Sequence, residues 1–415
     1  MKLVKLSILE KFRSLDTIKT LKGEENFTVL FREENVDRSW EQFHPFCFAG
    51  LNGSGKSNVL EALANIFYHL ECCTLNPEYS DYLKNGFKTF KSEPIAYELE
   101  YYIIPRNSKR QSVEDYMNII IRKEREKAPQ IKITAQDQKN KTQFQDLTSS
   151  IRIYLPELVI GYSSGENEIL SLPFVKSRLL QLDEYFYHLK LKQKGIRDDY
   201  DLDIKPESGL VYMDYHMSQA ILLANFLLQD EDTLKPIKKQ LDIKCIHSFR
   251  LVINDLELYK KDDDPELGYL LRLLDDIVDK LRKCATTSYK GEYKIGGKGK
   301  LETELLDFYV NEVTVDAFKN HFETPLKLFR AFQILSLLNM RVVSNELKKE
   351  VYNSESLYAM YKIPALEEKE HIFHFNIFKL NKEGSDDRML LKAFSDGEHQ
   401  FLHTMGICLM LKCII

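Results

Sequence analysis

Gly50-Leu51-Asn52-Gly53-Ser54-Gly55-Lys56-Ser57 reads GxxxxGK[ST] in full, and this octapeptide decides the expected fold class. Glycines at this spacing let the backbone wrap tightly, so that successive N–H groups face one anion. Lys56 is placed to reach the β- and γ-phosphates of a nucleotide, and the Ser57 hydroxyl to ligate Mg²⁺. The helix that follows directs its positive end at the same phosphates. The flanks suit this reading. Phe46-Cys47-Phe48-Ala49 is a short apolar run apt for a buried central strand. Downstream, Val59, Leu60, Leu63, Ile66, Phe67 and Leu70 recur at helical spacing and predict a helix from Lys56 to about Cys72. The bland alternative is a chance glycine turn.

Outward from the octapeptide, strands are predicted at Leu3–Leu9 and Phe27–Phe31. Three β-rich runs at 95–104, 116–122 and 131–134, separated by charged turns, predict an antiparallel β-subdomain. Leu158–Tyr162 reads as a return to the central sheet. From about Glu166 to Ser356 the pattern is mostly helical, with amphipathic segments at Leu267–Arg282 and Leu328–Met340 and an interrupting strand at Ile246–Ile253. His371–Leu380 has strand composition, and a helix is expected from Gly397 to about Lys412. No internal repeat, low-complexity tract or long heptad array is present.

The bulk numbers narrow the class. In 415 residues, 44% are apolar, 29% are charged, and the net charge is −5. Domains of roughly 100–200 residues make two or three lobes the expectation. A whole-protein basic surface is excluded, so nucleic-acid binding would need a local patch. Seven scattered cysteines, without a CxxC pair, read as free thiols of a reducing cytosol. The N-terminus is too short and interrupted for a signal peptide, and no run of 18 apolar residues exists. A cytoplasmic location without a membrane span is therefore expected.

A second motif stands near the other end: Phe394-Ser395-Asp396-Gly397-Glu398-His399-Gln400-Phe401. Alone, Ser-x-Gly-Glu is weak, since Ser395 or Asp396 could simply cap a helix carrying Glu398 in its first turn. That geometry is also what a second anion site uses. Other segments are weaker. Leu179-Leu180-Gln181-Leu182-Asp183-Glu184 imitates a strand ending in Asp-Glu but reads better as a helix surface. Ser163-Ser164-Gly165-Glu166 fits a strand-to-helix turn near the nucleotide or a plain capped turn. His371 and His374, three apart on a strand, face opposite sides and argue against a metal pair. The lysine-rich runs 139–141, 235–239, 260–264 and 294–300 are read first as solvated faces.

A glycine-rich turn near the N-terminus, a large insertion and a late S-x-G-[EQ] before a helix resemble ABC-type ATPases of the SMC/RecF-like group. The resemblance implies a P-loop NTPase head of α/β class. Residues 1–165 would form its N-terminal part with the β-subdomain, 166–365 a mostly helical insertion, and 366–415 an incomplete C-terminal part. It implies ATP and Mg²⁺ as cofactors. Asn52, Gly53, Ser54, Gly55, Lys56, Ser57 and Asn58 would lie on the nucleotide, with Ser57 on the metal. Ser395 and Gly397 would contact the γ-phosphate of a partner protomer, and Glu398 matches the family's Gln/Glu position. Phe12-Arg13-Ser14 resembles the family's NFRS segment, with Lys11 in place of Asn, which puts Arg13 near the nucleotide.

More narrowly, Asn52–Asn58, Tyr162–Glu168 and Phe394–Gln400 resemble restriction-system-associated AAA-family ATPases, such as the ATPase component of Septu-type anti-phage systems. That likeness implies a homodimer with ATP sandwiched between heads, an HNH-type nuclease partner, and possible contact with DNA. The family's next element, an apolar strand ending in Asp-Glu, is expected where Leu409–Ile415 stand, so catalytic carboxylates are unassigned and a truncated or frameshifted chain is expected. A hydrolysing ATPase, a non-hydrolysing nucleotide-gated scaffold and a DNA-repair ATPase of the RecF/SMC type are the alternatives.

Overall fold

The computed structural model describes residues 1–20, 23–32, 45–108, 115–135, 143–163, 168–193, 209–213, 217–254, 276–294, 300–337, 339, 343–354, 371–384 and 388–411. The chain is mixed α/β, organised around two hydrophobic cores.

The first core begins with β1 (Lys2–Ile8), a hairpin of β2 (Ile18–Thr20) and β3 (Gly23–Glu25), β4 (Phe27–Leu30) and helix α1 (Lys56–Thr74). Strands β5 (Tyr97–Ile103), β6 (Met117–Lys123), β7 (Gln130–Ala135) and β8 (Gln145–Asp146) follow. They form one antiparallel sheet in the order β4-β1-β5-β6-β7-β8. Strict alternation drives it. In β5, Tyr97, Leu99, Tyr101 and Ile103 point inward while the residues between stay partly exposed. Register then aligns Leu6, Leu99, Ile121 and Ile131 in one row across four strands, all fully buried. Helix α1 packs Val59, Ala62, Ile66, Phe67 and Leu70 into this core. The antiparallel β-subdomain read from the sequence is thus present.

Two central-sheet expectations are corrected. Phe46–Ala49 is not a strand: Phe46 is exposed, and its ring packs edge-on against Phe31 and Phe48 instead of entering a ladder. Next, β9 (Val159–Tyr162) leads to helix α2 (Glu168–Gln193) and β10 (Leu210–Met213). β9 and β10 pair in parallel as a two-stranded sheet of their own rather than joining a larger one.

The second core contains α3 (Met217–Leu228), α4 (Glu231–Leu241), β11 (Ile243–Asn254), a helix α5 at 276–284, β12 (Thr287–Lys294) and β13 (Lys300–Tyr309). Then come α6 (Glu312–Phe322), α7 (Pro325–Leu337), α8 (Asn345–Asn353), whose Val351 and Tyr352 pack in the first core, β14 (Phe373–Lys382), β15 (Arg388–Leu390) and α9 (Asp396–Leu411). Local chemistry sets several ends. Asp230 caps α4 and Asn311 caps α6, each accepting from the backbone N–H of its helix's third residue, Thr233 and Thr314. Strands β12-β13-β11-β14-β15 form an antiparallel five-stranded sheet. The expected helical insertion therefore carries three long strands, and the expected boundary at 365/366 runs through this sheet. Register sets Phe249 of β11 opposite Phe308 of β13, and on the buried face the two rings stack, with Phe318 beside them.

The Lys139–Lys141 and Lys260–Asp264 runs, most of Lys294–Lys300, the first part of Leu267–Arg282 and Ser164–Glu166 lie outside the described residues. Among the described residues, no helix is long and apolar enough to cross a membrane.

Candidate functional site

Residues Leu51–Gly55 form a tight turn that feeds straight into α1. Gly53 and Gly55 sit at φ +82° and +89°, a region that L side chains rarely adopt. A Cβ on Gly50 would stand 2.9 Å from Ser54 Oγ, a contact that rotation of this exposed hydroxyl relieves. Gly55 is doubly constrained: its Cβ would lie 2.7 Å from Leu15 Cδ2 and 3.1 Å from Ser14 Oγ. The sequence between Lys11 and Leu15 explains this approach. Phe12 and Leu15 exchange backbone hydrogen bonds of 2.8 Å across a tight turn, with Arg13 at φ +53°. That turn is pressed onto the glycine-rich one, and Asn58 Nδ2 donates to Ser14 Oγ at 2.7 Å to lock the two together.

The Lys56 ammonium closes the glycine-rich turn on itself, donating to the carbonyls of Gly50 and Leu51 at 2.8 Å each and reaching Ser54 Oγ at 3.4 Å. Ser54 and Ser57 are exposed. Helix α1 has no acidic residue in its first turn and no side-chain cap at Gly55. Its first N–H groups and its partial positive charge are thus offered to whatever lies over the turn. Asn52 and Ser54 stand at the exposed rim of the same turn.

Arg13 lies beside α1 and is engaged there. Its Nε and Nη2 donate to Glu61 Oε1 at 3.2 and 3.1 Å, and Glu93 is 3.7 Å away. Burial raises the Glu61 pKa, and the Arg13 charge opposes that rise.

Ser395, Gly397 and Glu398 open α9. The Ser395 N–H and hydroxyl both donate to Glu398 Oε2 at 2.7 Å, while the Glu398 N–H donates to Ser395 Oγ at 3.3 Å. This is a reciprocal capping box. The bonds from Ser395, its backbone N–H first, lower the Glu398 pKa. Gly397 is exposed, and a Cβ on it would meet nothing within 4 Å. The two motifs belong to different cores: α1 packs in the first and α9 in the second.

Asp183 and Glu184 lie in α2, so the strand-like look of Leu179–Glu184 dissolves, but the segment is not a helix surface. Glu184 is fully buried and ion-paired to Arg152 at 2.9 Å. Asp183 holds Lys348 Nζ at 2.7 Å and accepts from Tyr352 Oη at 3.1 Å. Both carboxylates tie helices together. The rings of His371 and His374 approach to 6.3 Å, because His371 precedes β14 and only His374 belongs to it. Among the described residues, no cluster of three metal-ligating side chains exists. Lys235 and Lys238 are paired with Asp232 and Glu231. The neighbours that sequence reading missed at the glycine-rich turn are Leu15 and Glu61. They carried a findable signal only as an apolar and an acidic residue close to motif positions.

Comparison of the chain with protein-family models, with curated proteins and with solved structures finds no significant match.

Proposed function

We propose that the chain is an ATP-binding protein of the ABC type, with the glycine-rich turn at 50–57 as its P-loop. The carrying observation is the backbone of that turn. Two residues hold conformations suited to glycine, and they lead into a helix whose N-terminus has neither acid nor cap. An anion cradle has this construction. Lys56 would exchange its two carbonyl partners for β- and γ-phosphate oxygens. Asn52, Gly53, Ser54 and Gly55 would present backbone N–H groups. The Ser57 hydroxyl, exposed in the first turn of α1, would ligate Mg²⁺, which supplies charge neutralisation at the phosphates when bound. Asn58 serves by fixing the Phe12–Leu15 turn, and Arg13 by its hold on Glu61.

On this reading the exposed Ser395–Gly397 helix start closes over the nucleotide of a second copy, and the ATP-bound dimer relays its state to a nuclease or DNA-processing partner in anti-phage or restriction defence. The non-hydrolysing scaffold remains the rival of a different class. The test is titration of a fluorescent ATP analogue with Mg²⁺. Micromolar binding by the wild type, lost in Lys56→Ala, supports the reading, and equal binding by both sinks it. Light scattering tests the second half: Ser395→Arg should keep nucleotide binding and lose ATP-dependent dimers. Phosphate release no faster than that of Lys56→Ala would favour the scaffold.

A further inference from the structure

The five-stranded sheet has two faces of different character. Phe249, Leu251, Leu306 and Phe308 line the buried one. On the other, the register sets Tyr289 opposite Leu305 and Tyr309 opposite Ser248. Val252, Asn254 and Thr303 on this face are buried, whereas Tyr289 and Tyr309 are 62% and 53% exposed, although a solvated sheet face is ordinarily polar.

Three details make this face a platform. A Cβ on Gly291 would stand 2.6 Å from Tyr289 Cε1 and 3.3 Å from its Cζ. The Tyr289 ring therefore lies along the strand, over the place where any other residue at 291 would put a side chain. Second, the pairing of β11 with β14 shifts between Ile246 and Ser248. The irregularity brings the His247 ring edge-on to Tyr309 at 5.2 Å. Third, two cations, Lys379 and Arg388, stand at this end. Among the described residues neither Lys379 nor Arg388 forms an ion pair. Both lie close enough to His247 to lower its pKa, after burial as the first cause. At the centre, Arg250 and Asp307 neutralise each other through bonds of 2.6 and 2.8 Å.

Tyr289 and Tyr309 are four register positions apart along β13, about 14 Å at strand rise. Exposed aromatic rings on an antiparallel sheet, bordered by cations, are what single-stranded nucleic acid uses: bases stack on the rings and phosphates sit on the charges.

We propose that the exposed face of this sheet binds single-stranded nucleic acid, with bases stacked on Tyr289 and Tyr309 and phosphates held by Lys379 and Arg388. The site is separate from the glycine-rich turn and does not depend on the nucleotide reading. Anisotropy of a fluorescein-labelled 20-nucleotide oligothymidylate, titrated with the full chain without ATP, tests it. Tyr289→Ala and Tyr309→Ala should each weaken binding about 5- to 150-fold, and the Phe variants should bind like wild type. Gly291→Val should weaken binding without removing a ring or a charge. Lys379→Ala with Arg388→Ala should flatten the slope of log K against log salt by about 1.4. Lys56→Ala should bind the oligonucleotide normally, which separates this site from the first. Because the tyrosines are exposed, circular dichroism should show unchanged folding. The proposal is overturned if the wild type does not bind, or if both Tyr→Ala variants bind undiminished. Displacement of the oligonucleotide by polyglutamate, with the tyrosine variants unaffected, would also overturn it and mark a surface for an acidic protein.

Discussion

Gly53→Ala and Gly55→Ala form a matched pair that separates conformational strain from collision. Both positions hold a positive φ, +82° and +89°. Placing a Cβ in that region costs roughly 1–2 kcal/mol. At Gly53 nothing lies within 4 Å of the added atom, so that cost is the whole effect. At Gly55 the added methyl would stand 2.7 Å from Leu15 Cδ2. Leu15 is fully buried and held between hydrogen bonds of its own turn, so it cannot swing clear as a free chain end would. Overpacking of this kind costs about 1–3 kcal/mol. The expected loss is therefore about 2–5 kcal/mol for Gly55→Ala against about 1–2 for Gly53→Ala. Urea unfolding followed by circular dichroism measures both. Leu15→Ala completes a double-mutant cycle: alone it should cost about 2–5 kcal/mol, and the double variant with Gly55→Ala should lose less than the sum of the two single losses. If Gly55→Ala and Gly53→Ala lose the same stability, or if the cycle is additive, the packing of the Phe12–Leu15 turn on the glycine-rich turn is refuted.

Further outcomes follow from other parts of the structure. Burial is the main cause of the His69 pKa falling to about 4 from 6.5. The unfolded chain takes up that proton first, so stability is full above pH 6.5 and should fall by about 3 kcal/mol as pH drops to 4. A His69→Gln variant should lose this component, read from unfolding midpoints across that window. Glu184→Gln leaves Arg152 facing a neutral amide in a buried pair and should cost about 3 kcal/mol. The double variant with Arg152→Met should recover part of it in the same unfolding assay. Glu398→Ala removes half of the capping box at α9 and should lower stability by about 1 kcal/mol.

The legible parts of this chain share one property: their pattern is local. The β-rich run at 95–104 and the helical spacing after Lys56 place β5 and α1 to within two residues, because both signals lie in neighbouring residues. The glycine-rich turn was equally readable, since conformational need at Gly53 and Gly55 is written in the residue type. Pairing partners were not. Phe46–Ala49 has strand composition yet packs as a ring cluster, because a strand needs a neighbour and composition does not name one. The β-structure at 287–309 was taken into a helical region because Lys, Glu, Gly and Thr dilute its β-formers. It becomes a strand pair through register with β11. Arg13 was read toward the nucleotide, and its pairing with Glu61 depends on a turn at positive φ that no periodicity announces. Ser395 and Glu398 were foreseen as a helix cap, and that part of the second motif stands in the structure as hydrogen bonds.

The central position of β11 has a consequence for synthesis. Its register partners in β14 end at Lys382, while β11 itself ends at Asn254, so about 130 residues separate a strand from the completion of one of its edges. At about 5–20 residues per second, a ribosome needs roughly 6–26 s to supply the missing partner. During that interval a 12-residue strand has one ladder edge unsatisfied, which is the template for pairing with a neighbouring nascent chain. Slower expression at lower temperature, or a holdase that covers extended apolar segments, should therefore raise the yield of folded protein more than any change at the glycine-rich turn.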